Sequence, residues 1–127
     1  MYPVDYLLLG SIAQDVSPTG EWSLGGTATF SGCMAYALGL RVGSVAALEP
    51  AMDLSPLEGI SVMRQLSPVS TMFENCYTPN GRVQYLRKRA DPLLFESVPL
   101  QRLTAPIVHL GPLTNDVSPD AIAQFPN

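Results

Sequence analysis

Charge, cysteine and histidine are all scarce in this 127-residue chain. Charged residues make up 14% of it, with seven Lys and Arg against eleven Asp and Glu, for a net charge of -4. A nucleic-acid binder needs a concentrated basic face, so that class is excluded. The basic residues do gather in "GRVQYLRKRA", residues 81–90, which reads as the solvated edge of a strand. The two cysteines, Cys33 and Cys76, and the single histidine, His109, form no CxxC or Cys/His pattern, so no metal site is expected. So few cysteines fit a reducing cytoplasm. No basic stretch with a cleavage site opens the sequence, and no apolar run is long enough to cross a bilayer. A cytoplasmic protein without a membrane partner is expected.

What is present is apolar: 46% of residues are hydrophobic, enough for one buried core. "VDYLLLGSI" is a continuous apolar run ending at Gly10 and reads as a buried strand. "AQDVSPTGEWSLGG" is a loop or a short hairpin turning at "SPTGE". From Thr27 the period becomes helical, and the segment is apolar nearly all round, which predicts a helix buried on more than one side. Cys33 and Phe30 are expected in that buried surface, and Gly39 as the residue after its end. "RVGSVAAL" reads as a second buried strand, completing a βαβ unit.

Further on, "ISVMRQLS" is a strand candidate. "STMFENCYTPNGRVQYLRKRA" is a hairpin in which Asn80 and Gly81 supply the positive φ of a tight reversal. "SVPLQRL" can form a short helix. "IVHLGPL" is a third buried strand, with His109 as a structural residue in it. Ser118, Pro119 and Asp120 spell a helix start. An α/β sheet of three central strands is smaller than usual and leaves an apolar edge open, which predicts weak stability.

The glycine pair in "SLGGTATF" has several readings. A dinucleotide fingerprint needs GxGxxG directly after a strand, and a Walker A loop needs a following Lys; neither pattern is present. On pattern alone the pair makes a turn and lets a helix pack closely.

Taken in order, "LLLGSIAQDV", "GGTATFSGCMAYALGLRVGSVAAL", "STMFENCYTPNGRVQYLRKRADPL" and "IVHLGPLTNDVSP" resemble the N-terminal part of the PfkB or ribokinase family of carbohydrate kinases. The resemblance runs over essentially the whole chain. It implies a ribokinase-like three-layer αβα fold with a small β lid, here only its N-terminal half. Residues 1–127 would be a partial kinase domain with lid-like segments near 16–24 and 70–90. It further implies that Asp15 hydrogen-bonds substrate hydroxyls and that the backbone of Gly25 and Gly26 lies against the substrate. Asn75, Tyr77, Arg82 and Gln84 sit at period-two spacing, so each pair shares a face, either towards substrate or towards solvent. Phe30 stands where many ribokinase-like members carry Asn. That points away from ribose towards another polyol, such as an inositol-like ring, or a nucleoside, with Phe30 either facing the ring or in the core.

The family's catalytic turn, GxGD at a helix start, supplies the base and the anion hole. No GxGD occurs here, and the only glycine after residue 81 is Gly111. The resemblance therefore implies the substrate half of an enzyme that moves the ATP γ-phosphate, with Mg2+, to a sugar or polyol hydroxyl. The chain alone is expected to be inactive and to bind neither ATP nor Mg2+. The alternative is a non-catalytic sugar-binding module, or a homodimer formed through the lid hairpin.

Overall fold

A computed structural model describes residues 2–126. The elements run in the order β1 (Tyr6–Gly10), β2 (Ala13–Val16), β3 (Trp22–Gly25), α1 (Gly26–Ala37), β4 (Val42–Leu48), β5 (Ser61–Leu66), β6 (Met72–Thr78), β7 (Gly81–Lys88) and β8 (Ile107–Gly111). Short 3-10 turns occupy Ser55–Leu57, Phe95–Ser97, Leu100–Arg102 and Pro119–Gln124. The strands form two sheets. One is wholly parallel in the order β5-β4-β1-β8, and the other is mixed in the order β3-β2-β6-β7.

The parallel sheet is the core because its middle strands are apolar on both faces. Leu8, Ala46 and Leu48 face α1 and pack with Ile12, Ala28, Met52 and Leu57. Leu7, Leu9 and Val45 face the other way, against Val4, Val98 and Ala105, with Leu93, Phe95, Leu103 and Phe125 around them. The second face is thus covered by 3-10 turns and extended chain where the first is covered by a helix. The segment "SVPLQRL" and the segment after Ser118 are 3-10 turns, although Ser118 does cap its turn, its hydroxyl accepting from the Asp120 amide at 3.2 Å.

Helix α1 starts without a side-chain cap. Its Ala28 amide donates instead to the Ser11 carbonyl at 3.1 Å. It ends as expected at Gly39, which takes φ +89: the Gly39 amide donates to the Tyr36 carbonyl and the Leu40 amide to that of Ala35. These paired reverse bonds stop a helix at a left-handed glycine.

Four expectations fail here. The helix is buried on one side only, and Phe30, Met34 and Leu38 stand 67%, 63% and 73% exposed. Cys33 is exposed as well. The parallel sheet covers a single face of α1, and no other element among the described residues packs on the opposite one. Strand β8 is a partly exposed edge, because it pairs with β1 alone. In the β6–β7 turn, Gly81 takes the positive φ at +118, and Asn80 is not among the positive-φ residues.

Candidate functional site

The second sheet stands beside the α1 end of the core sheet and carries the polar face of the molecule. The β2–β3 hairpin turns through "SPTGE", with the Ser17 amide donating to the Glu21 carbonyl at 2.8 Å. Its register sets Asp15 opposite Ser23 and Ala13 opposite Gly25. On the other side, Asp15 pairs with Phe73 in β6, so Asn75 lies two residues along on the same face. Asn75 in turn faces Gln84, and Tyr77 faces Arg82. One face therefore gathers Asp15, Ser23, Gly25, Asn75, Tyr77, Arg82 and Gln84.

Asp15 and Asn75 line a cleft of about 540 Å³ with Val16, Ser17, Pro18, Glu21, Trp22, Ser23 and Tyr77. Burial raises the Asp15 carboxyl above its ordinary value; the Asn75 amide and the Arg82 charge pull it back down. The Asn75 side-chain oxygen accepts from Gln84 Nε2 at 2.9 Å. That bond uses the oxygen and leaves the Asn75 NH2 free to donate towards Asp15 or a ligand.

The two glycines are required for different reasons. A Cβ on Gly25 would overlap the Asp15 carboxylate, while its φ of -142 is open to any residue. Gly26 takes φ +84, and a Cβ there would overlap the Ser11 carbonyl. The pair lets the carboxylate lie flat on the backbone and lets α1 start against the end of β1.

The fold brings Asp15, Gly25, Gly26 and Asn75 together, with Arg82 alongside, and leaves Phe30 out. Phe30 lines a separate apolar groove of about 370 Å³ with Tyr6, Ser31, Met34, Ala35, Leu38, Leu40 and Ile107. His109 lies away from the cleft and hydrogen-bonds through Nδ1 to the Tyr6 hydroxyl. Ser23, Trp22 and Glu21 join the cleft without belonging to any motif in the sequence. Ser23 was recoverable, since a hairpin turning at "SPTGE" puts it opposite Asp15; the cleft that admits Trp22 and Glu21 is visible only in three dimensions.

The cleft suits a small, hydroxyl-rich molecule. A carboxylate accepts two hydroxyl donors, and the Asn, Ser and Tyr side chains can serve further hydroxyls. Among the described residues no group of three or more His, Cys, Asp or Glu side chains converges to hold a metal ion, and no helix is long and apolar enough to cross a membrane.

No protein-family model matches the chain, and no curated protein matches it. Solved structures do. A sulfate complex of a pyrophosphate-dependent kinase in the ribokinase family superposes with TM-score 0.77 at 24% identity, over 94% of this chain and 45% of that one. A pyrophosphate-dependent kinase in the ribokinase family, complexed with a pyrophosphate analog and myo-inositol, gives 0.75 at 22% identity, over 94% and 44%. A pyrophosphate-dependent myo-inositol-1 kinase converted into a myo-inositol-3 kinase by mutation gives 0.72 at 21%, over 94% and 43%. The chain spans less than half the length of these structures. Its fold, a parallel α/β sheet with a small second β-sheet, is the ribokinase-like fold.

Proposed function

We propose that this chain is the N-terminal, substrate-binding part of a PfkB-type carbohydrate kinase, and that its substrate is a cyclic polyol. The observation that carries the reading is the Asp15 carboxylate laid over Gly25, with Asn75 beside it and Arg82 near, on the polar face of a ribokinase-like molecule. Asp15 accepts two neighbouring hydroxyls of the ring. Asn75, oriented by Gln84, donates to a third oxygen. The backbone at Gly25 and Gly26 forms the floor, and Arg82 borders the opening. Two of the structural neighbours are described with myo-inositol, one as its ligand and one as its substrate, which supports a polyol over an open-chain acceptor.

The phosphoryl donor and Mg2+ belong to the whole enzyme. The GxGD turn that carries the base and the anion hole in the family is not among these 127 residues, so neither role is assigned to a residue here. The family resemblance implies ATP as donor, whereas the structural neighbours are pyrophosphate-dependent.

Calorimetric titration of the 127-residue chain with a panel of inositols, pentoses, hexoses and nucleosides tests the proposal. The expected result is binding of a cyclic polyol that Asp15→Ala abolishes, with no phosphorylation from ATP or pyrophosphate. Phosphotransfer by the isolated chain, or no polyol binding at all, overturns it. A second reading, a dimer formed through the lid, is favoured by β7, whose eight residues are all exposed at a sheet edge. Light scattering after size exclusion separates the two, since lid pairing predicts a dimer that Val83→Pro disrupts.

A further inference from the structure

We infer that Asp116, a buried carboxylate on the loop after β8, is a positioning residue for the floor made by Asp15, Gly25 and Gly26. Only the ligand-binding arm of its test rests on the polyol reading above. Asp116 is 6% exposed. Its Oδ2 accepts the Ser11 hydroxyl at 2.6 Å, and its Oδ1 accepts the amides of Leu113 and Thr114 at 2.9 and 3.1 Å. Its carbonyl accepts the Leu93 amide at 2.8 Å. The left-handed turn at Asn115, φ 60, brings the carboxylate inward.

Ser11 is the link to the floor. Its hydroxyl is held by Asp116 and its carbonyl holds the start of α1 by accepting from the Ala28 amide. The same carbonyl fills the space that a Cβ on Gly26 would need. Two residues on, Ala13 pairs with Gly25, and Asp15 with Ser23. A residue gripped from one side by its hydroxyl and gripping a helix with its carbonyl transmits position directly. Losing the Ser11–Asp116 bond frees Ser11, and with it Gly26, Gly25 and the strand that carries Asp15. A charged acceptor suits the task, because hydrogen bonds to a carboxylate are stronger than those to a neutral amide.

The test uses the full 127-residue chain with Asp116→Asn, Ser11→Ala and the double variant. Asp116→Asn keeps the size and an acceptor for the loop amides, and Ser11→Ala keeps Asp116 itself. Two readouts are taken: the amide resonances of Gly25, Gly26 and Ala28, and the affinity for myo-inositol. Both single variants are expected to move those three resonances and to weaken myo-inositol binding about tenfold with unchanged circular dichroism. The double variant is expected to be no weaker than the weaker single one, as for two groups acting through one bond.

Shifts confined to Leu93, Leu113 and Thr114 overturn the inference, as does affinity within about twofold of the parent chain, or additive losses in the double variant. If the parent chain binds no myo-inositol, the polyol reading fails and the resonances of Gly25, Gly26 and Ala28 still decide this one. If Asp116→Asn does not fold, Ser11→Ala decides it alone.

Discussion

At the scale of single residues, Gly25 is where one added methyl would meet the Asp15 carboxylate. Its backbone accommodates alanine, so Gly25→Ala acts through the neighbour its methyl displaces, the Asp15 carboxylate. Polyol affinity is expected to fall about tenfold or more while the fold persists, read by calorimetry beside circular dichroism. Asp15 also sets a pH dependence. Burial raises its pKa, so its acceptor form is lost at higher pH than for a free aspartate, and polyol binding weakens as pH drops through that raised value. The charged groups facing it are Arg82 and, in the same cleft, Glu21. The sign for stability is opposite. A raised carboxyl destabilises the fold in full above its folded pKa; the penalty fades as pH falls through that value and is gone below the ordinary 3.8. Asp15→Asn is therefore expected to raise the melting temperature at neutral pH and to remove polyol binding, a trade common at functional positions. Asp5 behaves the other way. Its bonds from Arg41 hold it down at about 2 against an ordinary 3.8, so its contribution is complete above 3.8 and fades as pH falls towards 2.

At the scale of elements, the β6–β7 hairpin turns on one glycine. Gly81→Ala puts a side chain on a φ of +118 and is expected to cost about 1 kcal/mol or more, measured as a lower urea midpoint. In the core sheet, Leu8→Ala is expected to cost about 2–5 kcal/mol. Much of this organisation was legible in the sequence. The apolar runs around Leu7–Leu9 and Val42–Leu48 read as buried strands, Gly39 as the residue after a helix end, and Asn80-Gly81 as a reversal. Asp15 and the glycine pair stand out only through the ordered resemblance. Their local pattern offered only a turn, because the contact that explains Gly25 is with a side chain ten residues earlier. The helix was misjudged for a related reason. Its all-round apolar character says that every side can be covered, and periodicity does not reveal that only one sheet is there to cover it. Phe30 is exposed for that reason and sits in an apolar groove apart from the cleft.

At the scale of the whole molecule, two apolar grooves lie along the open β8 edge, one on each of its faces. Phe30 and Met34 of α1, with Leu38 just after its end, make a stripe and share a groove with Ile107 of the open β8 edge. On the opposite face of β8, Val108 and Leu110 line a second apolar groove of about 420 Å³ with Ile122 and Phe125. Exposed patches of this kind bind hydrophobic dyes and other chains. The isolated protein is expected to bind such a dye and to melt with low cooperativity, and Met34→Lys with Leu38→Lys to reduce the dye signal. A sharp melt without dye binding contradicts this. The bond between Ser11 and Asp116 also has a consequence in time. The two residues lie 105 positions apart, the widest separation among the side-chain bonds to either loop. On a ribosome, the glycine floor, the cleft strands and the hairpin have all been made well before Asp116 emerges. A nascent chain stalled before residue 116 thus holds every strand of the cleft but not the Ser11–Asp116 bond.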